Sequence, residues 1–321
     1  MAEDDRGIGV AHANGRGRVK PADAVGLGLV TVDELYLVDA LPIFGESQRA
    51  RARSRQCGGP AATAMATLAR LGVSTRMVSR VGEDADGDFL CNQLAQFGVD
   101  VSGIQRGKGA SRVAGVFVDA ASGDRGFLST PEDVAPLDAA DIHADQFAGA
   151  QILHLDDADA AGLAAARLAR EAGQRVVFDG TWQSDLLGEF LPLVEAAIVS
   201  DFFARHWMPQ APPEEILRAL LAAGADVAVL TRGASGAVAA TASQSLIEVP
   251  AFAVDVVDTT GAGDAFHGGY IYGMLQNWPL AQTLRFAAAA GALNCRALGG
   301  QIGLPDLATV QEFLEKNPTQ M

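Results

Sequence analysis

Several things are scarce or missing in this 321-residue chain, and each absence excludes a class of function. There is no apolar run long enough to cross a bilayer, and the first residues lack the hydrophobic stretch of a secretory signal. Cysteine occurs three times, at Cys57, Cys91 and Cys295, far apart and with no Cys-x-x-Cys pair. That excludes a disulfide framework and a thiolate zinc site, and it points to a reducing, cytoplasmic setting. Basic residues form no dense stripe, and the formal net charge is -15. Nucleic acid and anionic membrane surfaces draw their binding energy from clustered Lys and Arg, so neither is expected as a partner. No G-x-G-x-x-G follows the first apolar run, where GLGLVTVD stands instead, which disfavours a dinucleotide fold. Internal repeats are also absent.

What is present is apolar mass and alternation. Hydrophobic residues make up 49% of the chain, enough for a large core. Residues 1–22 have no periodicity and are expected to form a mobile tail, with one domain over residues 23–318. Strands are expected over residues 24–30, 76–80, 151–155, 175–179, 197–200 and 226–231. Helices are expected over 61–71, 86–97, 160–172, 214–223, 263–276 and 280–297. Such alternation implies a mostly parallel sheet covered on both faces by helices. Two stretches, at about 34–55 and 111–129, break the rhythm with hairpin-like patterns and are expected to pair into a smaller sheet.

The stretch DVVDTTGAGDAFHGG, residues 255–269, carries the chemistry. A β-branched run is expected to end as a strand at Asp258-Thr259-Thr260. Gly261-Ala262-Gly263 then opens a helix. A glycine turn at a helix N-terminus leaves backbone N–H groups unpaired beside the positive end of the dipole, which makes an anion site. An aspartate there, Asp264, repels phosphate unless its task is to take a proton from a hydroxyl that attacks that phosphate. The plainer alternative is a glycine turn with an acid in the first helical turn. Earlier, CGGPAATAMATLARLG (residues 57–72) places two glycines directly before another helix.

DTTGAGD, together with the earlier Gly58-Gly59 turn, resembles the paired signatures of the ribokinase-like PfkB family of carbohydrate kinases. The likeness runs from about Ala24 to Leu314, and the string is similar to the sulfofructose kinase and ketose kinase branch. The resemblance implies a three-layer α/β sandwich with a β lid. It implies ATP and Mg²⁺ as cofactors, with K⁺ as a further cation, and a homodimer through the lid. Asp264 would be the catalytic base, with Gly261, Ala262 and Gly263 as the anion hole. Asp33, Gly58, Gly59, Thr63 and Arg112 would face the sugar. Thr231, Gly233 and Asn294 would line the nucleotide. Asp258 and Thr260 would hold a monovalent cation, and Asp201 would reach Mg²⁺ through water.

The chain departs from the family pattern in two places. Thr63 stands where the family carries an Asn, and Ser200-Asp201-Phe202-Phe203 replaces its N-x-x-E. The acids Asp156, Asp157 and Asp159 suit a neutral ketose better than an anionic sugar, or they cap the helix that follows. Arg55 and Arg112 would supply positive charge if sulfofructose were the substrate. A nucleoside kinase would need an aromatic clamp, and aromatic residues are only 6% of the chain. A catalytically inactive sugar- or nucleotide-binding regulator is the alternative outside enzymes. His154, His143, His206, His267 and Trp182 are expected to be packing or isolated residues.

Overall fold

The computed structural model describes residues 22–130, 133–244 and 246–318; of the tail expected over residues 1–22, residues 1–21 lie outside them. In chain order the strands are β1 (Ala24–Leu27), β2 (Thr31–Val38), β3 (Ala52–Gly58), β4 (Thr75–Gly82), β5 (Asp100–Gly107), β6 (Val113–Asp119) and β7 (Arg125–Ser129). They continue with β8 (Ile152–Leu155), β9 (Arg175–Gly180), β10 (Ala196–Ser200), β11 (Val227–Thr231), β12 (Ala237–Thr241) and β13 (Ile247–Val249). The helices are α1 (Pro60–Arg70), α2 (Ala85–Gln96), α3 (Ala160–Glu171), α4 (Leu187–Phe190), α5 (Asp201–Trp207), α6 (Pro213–Ala222), α7 (Ala262–Leu275), α8 (Leu280–Asn294) and α9 (Leu307–Lys316).

Among the described residues, one nine-stranded sheet runs β13-β12-β11-β10-β9-β8-β1-β4-β5. Its pairs are parallel from β11 through to β5; β12 and β13 add an antiparallel edge. Alternate side chains sort onto two faces, as the two-residue period of a strand requires. Ala24, Ile198 and Val229 face a core shared with α1, α2, α7, α8 and α9. Their neighbours Val25, Ala197, Val199 and Leu230 face a second core with α3, α4, α5 and α6. The result is three layers, with the sheet buried on both sides. No helix among the described residues is long and apolar enough to cross a membrane.

The second sheet has the order β3-β2-β6-β7. β2 lies antiparallel to β3 and parallel to β6, and β7 closes antiparallel on β6. Its small core is Leu35, Ala114, Val116 and Val118, joined by Leu37 and by Leu298 from beyond α8. β7 forms one edge and is exposed along its length.

The expected alternation and both inserted segments are present, with differences that have local causes. The first apolar run is two strands. It breaks after Leu27, where the Leu29 N–H turns aside to the Asp156 carboxylate (3.0 Å), and Thr31–Val38 leaves for the small sheet. Asp33 therefore stands on the small sheet and not at the end of a central strand. Residues 250–257 form no strand. Val256 and Val257 are partly exposed, and the segment is held by Val257 and Asp258 N–H groups on the Cys295 carbonyl. α8 stops at Asn294, and β5 and α9 were not foreseen. Trp182 is 62% exposed and meets Phe202 edge-on instead of entering the core.

Candidate functional site

The parallel order puts the C-terminal ends of β1, β8, β9, β10 and β11 along one rim. In open α/β sheets that rim is where ligands bind. Here it carries Asp156, Asp179, Ser200-Asp201 and Thr231, and the glycine turn before α7 faces the small sheet.

Gly261 caps α7 in the left-handed region, with φ 73°. A Cβ there would lie 2.6 Å from the Gly300 Cα and 2.7 Å from its carbonyl oxygen, so only glycine fits. Gly263, two residues on, has open space around its Cα. The Ala262 N–H turns back to the Thr259 carbonyl and the Ala265 N–H to that of Gly261. Among the described hydrogen bonds this leaves the Gly263 N–H unpaired at the helix end, while the Asp264 N–H meets its own carboxylate. The Ala262 amide is therefore already engaged within the turn, and that of Gly263 is not.

The turn is fastened from beneath. Asp258 is fully buried and accepts from the Thr260 N–H (2.8 Å) and the Gly299 N–H (2.7 Å). Asn294, also fully buried, donates to the carbonyls of Thr260 (3.2 Å) and Gly300 (3.1 Å). That corrects its expected nucleotide role. Its amide N–H groups are spent on holding the loop, and no part of it reaches the surface. From above, the β6–β7 turn docks on the same loop. The Thr259 N–H and hydroxyl donate to the Gly123 carbonyl, and Arg125 donates to the Thr259 hydroxyl (3.2 Å).

Asp264 sits in the first turn of α7, and its pKa is pushed up to about 7. Burial is the main cause; the negative charge of Asp179 adds to it, and Arg125 acts against it. Asp33 is raised to about 7 as well, by burial first and then by Asp264 and Asp258. The two carboxyls are thus close enough to feel each other. Gly58 makes room for Asp33: a Cβ at Gly58 would lie 2.1 Å from the Asp33 Oδ2. Gly59 opens α1 with φ 103°. Thr63 is a correction. It is 1% exposed and its hydroxyl accepts from Gln301 (3.2 Å), so it braces the loop after α8 and does not face a cleft. The Arg112 carbonyl accepts from the Val32 N–H (3.0 Å), tying β6 to β2. Arg55 is paired with Glu34 and Asp86 and lies over the Phe89 ring, so its charge is already met.

Of the acids after β8, Asp159 caps α3 through the Gly162 N–H (2.7 Å). Asp156 does something sequence reasoning missed. Buried between β1 and α1, it accepts from the N–H groups of Leu29 and Ala61, both at 3.0 Å. Ser200 caps α5 through the Phe203 N–H, which places Asp201 in the first turn of that helix. Thr231 pairs with Ser200 in register, and Gly233 follows with φ 53°. Thr231, Gly233 and Asp201 share the rim, with no described hydrogen bond to the glycine turn. Arg125 and Asp179 also escaped the sequence reading. Only the docking of two sheets brings residues 125, 179 and 264 within range of one another.

The charge pattern has a consequence for stability. Asp33, Asp156, Asp179 and Asp264 are each raised to about 7, chiefly by burial. Between their ordinary values and 7 the folded chain keeps protons that the unfolded chain has released. Stability gained this way is lost as pH rises through 7. His154 and His267 are held below their ordinary value by burial, so they oppose this only below about 6.5. By calorimetry, Tm is expected to be higher at pH 6 than at pH 8 by several degrees. A Tm that climbs over that interval would contradict the burial of these carboxyls.

The family model for the pfkB family carbohydrate kinases matches residues 22–307. This chain belongs to the PfkB family. The PfkB chain is 26% identical over 322 residues to the 5-dehydro-2-deoxygluconokinase of Geobacillus kaustophilus, covering 93% of this chain and 95% of that one. It is 31% identical over 304 residues to the ATP-dependent ribose-1-phosphate kinase of Halopiger xanaduensis, covering 90% and 97%. Among solved structures, an E. coli protein assigned as a ribokinase II, in complex with ATP and Mg²⁺, superposes with a TM-score of 0.80 at 24% identity, over 92% of this chain and 99% of that one. The fold is ribokinase-like, and the PfkB chain is a carbohydrate kinase.

Proposed function

We propose that residues 23–318 act as one ATP-dependent kinase domain that phosphorylates a hydroxyl of a neutral ketose or related sugar. The observation that carries this is Asp264: a carboxyl near neutrality, in the first turn of a helix entered through a left-handed glycine, beside a second carboxyl, Asp33. Asp33, whose carboxyl occupies the room that Gly58 leaves, orients the sugar by accepting from its hydroxyls. Asp264 accepts the proton of the attacking hydroxyl. The N–H groups at the start of α7 stabilise charge on the transferred group. Arg125 bridges from the small sheet to the loop and adds positive charge where phosphate would arrive.

Nucleotide chemistry is supported by the ATP-dependent relative and by the ATP and Mg²⁺ complex. Thr231 and Gly233 at the rim are proposed to border the nucleotide, and Asp201 to reach Mg²⁺ through water; the phosphates supply most of that ion's ligands. The Thr260 hydroxyl is buried without a partner among the described residues, next to the buried Asp258 that accepts from the Thr260 N–H. Those oxygens fit a desolvated monovalent cation. The small sheet acts as a lid, and the exposed β7 edge with Phe127 and Leu128 suits pairing with a second copy. A neutral substrate is favoured because the site gathers carboxyls and Arg55 is already paired.

The test is ADP release with Mg-ATP against ketoses, aldoses, sugar acids, sulfofructose and nucleosides. Turnover highest on a neutral ketose is expected. Turnover confined to nucleosides or to sulfofructose would sink the substrate assignment, and no turnover with any sugar would sink the kinase reading itself.

A further inference from the structure

Behind the candidate catalytic turn lies a buried cluster that phosphoryl transfer does not use. His154 comes from the end of β8, Asp179 from the end of β9, and His267 from α7, one turn after Asp264. One donor atom from each lies within 4.8 Å of the other two. The His267 Nε2 is 3.5 Å from the Asp179 Oδ2, too far for a good hydrogen bond, and the imidazole centroids are 5.2 Å apart. All three side chains are buried.

The tautomer of His154 follows from its surroundings. Its Nδ1 lies 3.3 Å from the Val177 carbonyl, which can only accept, so Nδ1 carries the proton. Nε2 is then a lone pair. It is buried, and no described residue donates to it. The His267 Nδ1 is likewise buried without a partner. The Thr181 hydroxyl donates to the Asp179 Oδ1 (3.1 Å), leaving Oδ2 for the cluster. The His154 Nε2 and the Asp179 Oδ2 are converging acceptors, and the His267 Nε2 is a third when that ring's single proton sits on Nδ1; such convergence is unfavourable in a protein interior unless a cation completes it.

We infer that His154, Asp179 and His267 form a binding site for one divalent transition-metal ion of the zinc type. Imidazole nitrogen and carboxylate oxygen bind such an ion at about 2.0–2.2 Å, so tetrahedral ligand atoms stand about 3.3–3.6 Å apart. The 3.5 Å between His267 and Asp179 already matches this spacing. Two imidazoles and one carboxylate suit zinc or cobalt and not magnesium or calcium, which take oxygen. The site is therefore distinct from any magnesium carried with ATP. The Val177 carbonyl on the far nitrogen of His154 and the Thr181 hydroxyl on Asp179 are the outer contacts that metal-bound imidazole and carboxylate normally have. The ion would tie β8, β9 and α7 together one helical turn from Asp264. No local motif announces it, because the ligands are separated by 25 and 88 residues in sequence.

The test uses the untagged full chain, stripped by chelator and titrated with Co²⁺ alone, without ATP or sugar. One equivalent is expected to bind and to give the visible absorption of low-coordinate cobalt, which Zn²⁺ then displaces. His154→Phe and His267→Gln should each abolish the bands. The double variant His143→Gln, His206→Gln, altered only at surface histidines, should keep them. Circular dichroism identifies any variant that fails to fold, and the stoichiometry of the unaltered chain decides by itself. Absence of bound cobalt at one equivalent would overturn the site, as would bands that survive both single variants or vanish in the double variant. The readout does not depend on kinase turnover, so the two readings fail separately.

Discussion

Asp264→Asn is expected to lower kcat on the preferred sugar by about 10²–10⁴-fold, the usual contribution of a positioned general base. KM for ATP should change little, because the substitution keeps the shape of the side chain and the backbone N–H groups of the turn. The physical ground is the proton. Asparagine can hold a hydroxyl in place, but it cannot accept its proton as the oxygen attacks. A pH profile sharpens the test. Asp264 is raised to about 7. Below that value the carboxyl is protonated and idle, so kcat/KM should rise with pH through about 7 and level off above it. In Asp264→Asn that limb should be absent. Several groups face Asp264: Asp179 from β9, Arg125 from β7, and Asp33 from β2. Burial is the main reason the midpoint stands near neutrality instead of in the ordinary carboxylate range; the charge of Asp179 adds to it and Arg125 opposes it. An unchanged kcat in the variant would remove Asp264 from the chemistry.

Gly261→Ala is the second large effect expected. The added methyl would stand 2.6 Å from the Gly300 Cα and 2.7 Å from its carbonyl oxygen, and backbone cannot rotate away as a side chain can. An alanine held at φ 73° adds about 1–2 kcal/mol of strain. The loop must shift, and with it the N–H groups aimed at the transferred group. Losing one such donor costs about 10²–10³-fold in kcat, so kcat/KM for ATP should fall by about 10²-fold or more, with a lower Tm. Gly188→Ala, in α4 and away from the site, is the control, since its Cβ would meet open space. Equal kinetics in the two alanine variants would show that the geometry at Gly261 is not what aligns the amides.

Some of this protein was determined by local sequence alone. Helix and strand periods alternated clearly enough to predict a parallel sheet with two helical layers. The string Asp258–Asp264 marked the candidate catalytic turn because glycine spacing and a following helix are local requirements. The two inserted segments were visible because their period of two interrupts that alternation. Other features depended on contacts between distant parts of the chain. The break after Leu27 is made by a carboxyl 127 positions away, on Asp156. Asn294 and Thr63 belonged to a motif pattern, but burial turned both into braces. Arg125 acquires its place only when the small sheet docks on the loop at Thr259. His154, Asp179 and His267 meet only because β8 pairs with β9 and α7 packs over that edge. Local propensity acts over a turn or a strand, whereas burial, charge coupling and shared hydrogen bonds act across space, and the latter decided which side chains form the site.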